Sequence, residues 1–375
     1  MATAVEGSNH GSETALDSTT SSDEPAETIA SDNLQESVAL KQLYEQSTQY
    51  KYWRYTQTSL DELRSKVNGE AIATIGENIS EEREQRIAQD RSVENLPENP
   101  GFPTVEEELA LLGFYDRKIA QIFRYWKLPS NVTATAIVYM KRFFLENTVM
   151  DYHPKSVMMT CMFLARKTEN FLMTIDDFST AIKSSRESIL NLELLVCQSL
   201  RFQFTVHHPY RPCLGFFYDM QAVADNMEKL QKVYDIAAKL IDTSLYTDLC
   251  FLYQPAQIAL AAMMIACKEE SYVTYKFKSN EGTTQKYTET LLPILLDIER
   301  ILNEDPRCKE VKKSVAAEID KRLMFCEDPA KNSDSLIYGK RKRIELNVDD
   351  DDDDDDKNDE RAEKRTKLDN DSSPE

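Results

Sequence analysis

The sequence predicts an all-α protein: two tandem five-helix bundles, additional N- and C-terminal helices, and disordered tails. Three observations carry this expectation. Apolar residues recur at three- and four-residue spacing through most of residues 102–303, and nothing there reads as a strand pair. One segment, Ser156–Ala165, holds no charge, so a helix there must be buried on every side. A sixteen-residue stretch returns 101 residues later without a gap, which reads as a duplicated bundle.

Residues 1–40 carry eight acids and no Lys or Arg, and are read as a disordered acidic tail with no signal peptide. Residues 41–68, with Trp53 as anchor, read as an N-terminal helix, and the polar run 79–101 as a linker. The first bundle occupies 102–204. Thr104 and Glu107 form a capping box, behind which Leu112, Tyr115, Ile119 and Phe123 share a face. Leu128-Pro129-Ser130 breaks this helix, and Ser130 is placed to cap the second. The third starts at Pro154, a favoured first position, and stops at Arg166-Lys167. Thr174–Ile182 forms a short fourth helix. A capping box of Ser184 with Glu187 opens a fifth that runs to about Leu200.

The second bundle spans 209–303. Pro154, Met162, Ala165, Lys167 and Glu169 match Pro255, Met263, Ala266, Lys268 and Glu270 at the constant offset of 101. The same offset lays the second helix on Gln231–Asp248 and the fifth on Lys286–Ile301. A last helix covers 306–326. Residues 331–375 are a disordered charged tail, with basic groups Lys340-Arg341-Lys342-Arg343 and Lys364, Arg365, Lys367 around eight aspartates, Asp349–Asp356. The two basic groups suit a bipartite nuclear import signal, and the aspartates a solubilising segment.

Composition removes several function classes. The net charge is −20, but 340–375 hold fifteen acids against nine bases, so residues 41–339 carry only −6. Phosphate-backbone binding needs a basic excess that this body lacks. Nine glycines in 375 residues include no phosphate-cradling pattern, and no kinase catalytic-loop signature occurs. No uninterrupted apolar run reaches the ~18 residues a membrane span needs. The seven cysteines never approach metal-ligand spacing and read as core residues in a reducing compartment. No Ser/His/Asp or Cys/His set has positional support, and His207 and His208 precede a rigid Pro209-Tyr210-Arg211-Pro212 connector. No catalytic residue, metal or cofactor is expected.

Two charges stand out. Glu193 is the only charge between Ser188 and Leu200, and Lys167 ends the charge-free third helix. An isolated buried carboxylate costs several kcal/mol unless paired, which makes Lys167 its natural partner. Either Lys167 complements its helix terminus and Glu193 bridges to it, or both sit on a surface that another protein covers. The second bundle keeps Lys268 but has Ile294 where Glu193 would fall, which points to a function confined to the first bundle.

Several stretches resemble the cyclin family, and within it the cyclin H branch. They are Lys141-Arg-Phe-Phe-Leu-Glu-Asn-Thr-Val-Met-Asp-Tyr-His-Pro-Lys-Ser156, His208-Pro-Tyr-Arg-Pro212, and Thr247-Asp248 through Pro255-Ala-Gln-Ile-Ala-Leu260. The resemblance spans about Leu43 to Arg343. It implies two cyclin boxes and a noncatalytic, nuclear regulatory subunit that binds a cyclin-dependent kinase catalytic subunit. It also implies a RING-finger assembly factor and the TFIIH core as partners, with kinase activation loops and RNA polymerase II C-terminal repeats as substrates of the assembly. In the family the helix-end Lys and central-helix Glu bind the kinase near its αC helix. Those positions are Lys167 and Glu193 here, with Arg166, Glu169 and Asn170 as the implied rim. Cell-cycle cyclins open their first helix with a substrate-docking M-R-x-x-x-x-D-W pattern. The matching helix here reads Glu106-Glu-Glu-Leu-Ala-Leu-Leu-Gly-Phe-Tyr-Asp-Arg117, so that docking is not expected. The same fold serves promoter-DNA binders of the TFIIB type, which carry an N-terminal zinc ribbon and a basic surface. This chain has no cysteine before Cys161 and no basic excess.

Overall fold

The computed structural model describes residues 43–93, 96–97, 99–222, 224–270, 281–309, 311–332 and 334–338; the side chains of Leu43 and of 281–288 fall outside that description. The acidic segment 1–40, the basic groups Lys340–Arg343 and Lys364, Arg365 and Lys367, and the octa-aspartate also lie outside it. Every regular element among the described residues is helical. In chain order they are α1 (Thr48–Tyr52), α2 (Gln57–Ala88), α3 (Val105–Tyr125), α4 (Ser130–Phe143), α5 (Pro154–Thr168), α6 (Ile175–Ile182) and α7 (Arg186–Leu190). There follow α8 (Glu193–Ser199), α9 (Tyr210–Gln221), α10 (Met227–Ser244), α11 (Leu249–Leu252), α12 (Pro255–Glu269), α13 (Glu281–Glu304) and α14 (Lys313–Leu323).

The first bundle, α3–α8, is built around α5. Every residue from Val157 to Arg166 is buried, as a helix without a polar face requires. Full burial of a Met, Leu, Val or Phe side chain contributes about 1.5–3 kcal/mol, and α5 buries Val157, Met158, Met159, Met162, Phe163 and Leu164. The Thr104–Glu107 capping box forms in both directions and starts α3. In the second bundle α12 occupies the place of α5, and both ends of the two helices coincide at the 101-residue offset.

Five local expectations are corrected. Residues 41–68 are not one helix: a 3-10 turn and α1 precede α2, and α2 runs through 79–88, the first part of the supposed linker. Those residues look like a connector because their packing partners are remote. Ile79 and Glu82 are buried, and Glu82 accepts hydrogen bonds from Ser335 Oγ (2.7 Å), Ile337 N (3.1 Å) and Leu336 N (3.2 Å). Ser130 does not cap α4. Pro129 is the cap residue, and the Ser130 hydroxyl hydrogen-bonds Tyr210 instead. Ser185, not Ser184, caps α7, because the left-handed Lys183 (φ 56°) ends α6 and Ser184 N still bonds back to Ser179 O. The fifth helix breaks at Asn191 and Leu192 into α7 and α8. Residues 306–326 likewise divide into a 3-10 turn, Pro306–Cys308, and α14.

One buried carboxylate joins the parts. Asp248, between α10 and α11 of the second bundle, accepts Arg64 of α2 at 2.7 and 2.8 Å and Arg307 at 2.5 Å, while Lys141 of α4 donates to Thr247 O at 2.5 Å. The long N-terminal helix, both bundles and the C-terminal segment thus meet at one charge cluster. Burial alone would raise the Asp248 pKa, but the hydrogen bonds and charge of Arg64, with Arg307 and Lys141, hold it well below the usual carboxylate range.

Replacing Asp248 by Ala leaves the buried Arg64 without its anion and Arg307 with Asp305 alone, and should cost about 3–5 kcal/mol in urea unfolding at neutral pH. Because its folded-state pKa is depressed, the contribution is present above the unfolded-state pKa of about 4 and is lost as pH falls below it. The stability gap between wild type and variant should therefore narrow in acid. A gap of constant size from neutral pH into acid would contradict this assignment.

Candidate functional site

The end of α5 is where buried helix meets surface. Asn170, in the left-handed region (φ 61°), terminates it: Asn170 N donates to Lys167 O at 3.4 Å and Phe171 N to Arg166 O at 2.8 Å. These two bonds are the pairings of a Schellman cap, and Asn tolerates the left-handed conformation that the cap needs. The cap turns the chain outward immediately after Lys167.

Lys167 Nζ lies 2.5 Å from Glu193 Oε1 and 5.0 Å from the centre of the Phe163 ring. The pair is not buried as the sequence suggested: the two side chains are 42% and 20% exposed. The break at Asn191–Leu192 places Glu193 in the first turn of α8, and Leu194 beside it is 62% exposed. Phe171 and Leu172, just past the cap, are exposed as well. The pair therefore sits in an apolar surface. The sequence did carry a signal for this, since Phe171-Leu172-Met173 is an apolar triplet where a helix has just ended.

The structure brings only part of the expected rim to this surface. Asn170 is exposed beside Lys167. Arg166 is buried, with its guanidinium 5.6 Å from the Trp126 ring and its Nε without a hydrogen-bond partner, and burial lowers its pKa. Glu169 turns inward, accepting Asn131 Nδ2 at 2.8 Å and Thr135 Oγ1 at 2.7 Å from α4. Helical geometry explains both: Arg166 is one step around α5 from Lys167, on the face that α3 covers, and Glu169 closes the helix against α4.

The comparison with the second bundle is also corrected. Lys268 does have a carboxylate partner, because Glu299 Oε1 and Oε2 lie 2.9 and 2.8 Å from its Nζ, while Ile294 packs against the core. Each bundle thus joins a helix-ending Lys to a Glu of its last helix. The surroundings differ. Glu299 is followed by Arg300, which is bonded to Asp297 at 2.5 Å, and among the described residues Leu296 is the nearest exposed apolar side chain in sequence; Tyr272 and Val273, which match Phe171 and Leu172, lie outside the description. The first pair has the Phe163 ring under Lys167 and the exposed Leu194 next to Glu193, and the exposed Phe171 and Leu172 follow the cap.

Among the described residues no group of His, Cys, Asp or Glu could hold a metal ion, and no helix is long and apolar enough to cross a membrane. All seven cysteines are free.

Residues 110–205 match the family model of the cyclin N-terminal domain, and residues 208–303 that of the cyclin C-terminal domain. The chain is 40% identical over 250 residues to cyclin CCL1 of Saccharomyces cerevisiae, covering 65% of this chain and 63% of that protein. It is 32% identical over 310 residues to cyclin mcs2 of Schizosaccharomyces pombe, covering 80% and 91% of the two. Its fold matches a chain in the structure of the CAK complex from Chaetomium thermophilum bound to ATP-γ-S, with a TM-score of 0.65 and 27% identity, covering 81% of this chain and 94% of that one.

Half-exposed ion pairs contribute little to folding. Lys167→Ala and Lys268→Ala should each cost no more than about 1 kcal/mol in urea unfolding. A loss of several kcal/mol for Lys167→Ala alone would make the first pair part of the scaffold rather than a surface feature.

Proposed function

The chain belongs to the cyclin family, and on that premise we propose that it is the noncatalytic regulatory subunit of a CDK-activating kinase. Its direct partner is a cyclin-dependent kinase catalytic subunit, gripped by the Lys167–Glu193 pair at the end of α5. The observation that carries this reading is a partly exposed ion pair over the Phe163 ring at the C-terminal end of α5, with the exposed Leu194 next to Glu193 and the exposed Phe171 and Leu172 following the helix cap. Such a surface offers charged hydrogen-bonding groups to fix orientation and exposed apolar side chains to exclude water, the composition of a binding hot spot. Asn170 and the exposed apolar residues form its rim; Arg166 and Glu169 act from inside.

The physical mechanism is selection of one kinase conformation. Catalysis requires the Lys–Glu ion pair between the kinase β3 strand and its αC helix. A cyclin that binds the closed arrangement more tightly shifts the population toward it, and a preference of about 5 kcal/mol converts a mostly inactive ensemble into a mostly active one. The similarity to the CAK complex and to cyclins CCL1 and mcs2 supports this reading. We extend it to a nuclear complex with a RING-finger assembly factor and the TFIIH core, acting on kinase activation loops and RNA polymerase II C-terminal repeats. The two basic groups at Lys340–Arg343 and Lys364–Lys367 are its candidate import signal.

Copurification with the catalytic subunit, followed by a kinase assay on polymerase C-terminal repeat peptide, tests the reading. Lys167→Ala with Glu193→Ala should weaken association by at least about tenfold, ~1.4 kcal/mol, and lower activity at limiting cyclin. Lys268→Ala with Glu299→Ala should leave both unchanged. Undiminished capture by the first double variant would refute the site.

A further inference from the structure

Glu169 stands two residues beyond Lys167 yet faces away from the partner surface, and the bonds it makes lead elsewhere. Its Oε1 accepts the Thr135 hydroxyl, whose side chain is fully buried on α4. The same Thr135 Oγ1 lies 2.8 Å from His208 Nε2. A threonine has one hydroxyl proton, and here the carboxylate takes it. His208 must therefore carry its proton on Nε2 and donate it to Thr135. Burial, with nearby Arg142, pushes the His208 pKa down to about 3, so the ring is neutral and the chain of donors runs one way, His208 to Thr135 to Glu169. A second tie runs parallel to it. Tyr139, one turn along α4, donates to Phe204 O at 2.5 Å, and its hydroxyl lies 3.1 Å from that of Thr168, the last residue of α5.

Phe204 and His208 belong to the connector between the bundles. That connector is held in turn by α1: Gln49 Nε2 donates to His207 O at 3.3 Å, and His207 N donates to Gln49 Oε1 at 2.7 Å. None of these groups is needed to pair Lys167 with Glu193. Together they fix where the last turn of α5 stands relative to the connector.

We infer that Glu169 is a positioning residue: through Thr135 it ties the exposed end of α5 to His208, so the placement of Lys167 depends on the connector between the bundles. The inference rests on the reading that Lys167 grips the kinase. Glu169 itself does not touch the partner. Its loss frees the final turn to rotate or fray, and Lys167 then spends less of its time in the binding geometry.

The test uses the full-length protein and the cyclin-dependent kinase catalytic subunit. Kinase affinity and urea-unfolding midpoint are measured for Glu169→Ala, Thr135→Val and Glu169→Gln, each alone and combined with Lys167→Ala. Glu169→Ala and Thr135→Val should each weaken affinity about tenfold alone and hardly at all in the Lys167→Ala background. Glu169→Gln should retain most of the affinity, since its carbonyl oxygen still accepts Thr135 and Asn131 can turn its amide to match. A direct kinase contact would instead make Gln as damaging as Ala and leave Thr135→Val silent. A purely structural role would make the losses additive with Lys167→Ala and proportional to the fall in unfolding midpoint. Either outcome overturns the inference. If Lys167→Ala by itself fails to weaken binding, the reading of the site falls and this inference with it. Additive losses on an interface that does need Lys167 remove only the role of Glu169.

Discussion

The burial of α5 is the constraint on which the rest of the molecule depends. Ten consecutive residues, Val157–Arg166, are buried. A helix packed on all sides has little freedom of register, because sliding it by one residue rotates every side chain by about 100° and exchanges fitted contacts for voids or overlaps. Pushing it further inward would bury Lys167 without its counter-ion, at several kcal/mol. It reaches solvent at its two ends, and at the C-terminal one the cap at Asn170 fixes the direction of the exit. The proposed kinase site thereby lies at the boundary between a rigid interior and solvent, where one side chain is held by the packing of the ten before it.

The duplicated architecture provides an internal comparison. α5 and α12 occupy corresponding positions, end in a lysine at the same register and pair that lysine with a glutamate. The ion pair is therefore a property of the repeated unit, and in the first copy it is followed by the exposed Phe171 and Leu172. A charged pair among exposed apolar groups can be desolvated by a partner, which strengthens its electrostatics.

Much of this was legible in the sequence, wherever the determinants are local. The Thr104–Glu107 box, Pro154 and Pro255 at helix starts, and the charge-free body of α5 all act within a few residues, and their elements stand where the pattern put them. What could not be read depends on partners far along the chain. The second half of α2 is held by Asn78 and Glu82, bonded to Asp328 and Ser335 some 250 residues later. The choice of Ser185 over its neighbour turns on a left-handed Lys183. The Lys268–Glu299 pair was missed because the last helix of the first bundle is broken at Asn191–Leu192 while α13 is continuous through Pro293, so equal sequence offsets do not deliver equal positions. The inward turn of Glu169 required knowing that Asn131 and Thr135 of α4 lie beneath the end of α5.

The central claim is that the kinase is received at the exit of α5 and not at its copy. Amide hydrogen exchange of the full-length protein, with and without the catalytic subunit, tests this directly. The account predicts new protection confined to residues 166–172 and 192–197, with exchange at 267–270 and 296–300 unaltered. Protection at the second set, with none at the first, would contradict it.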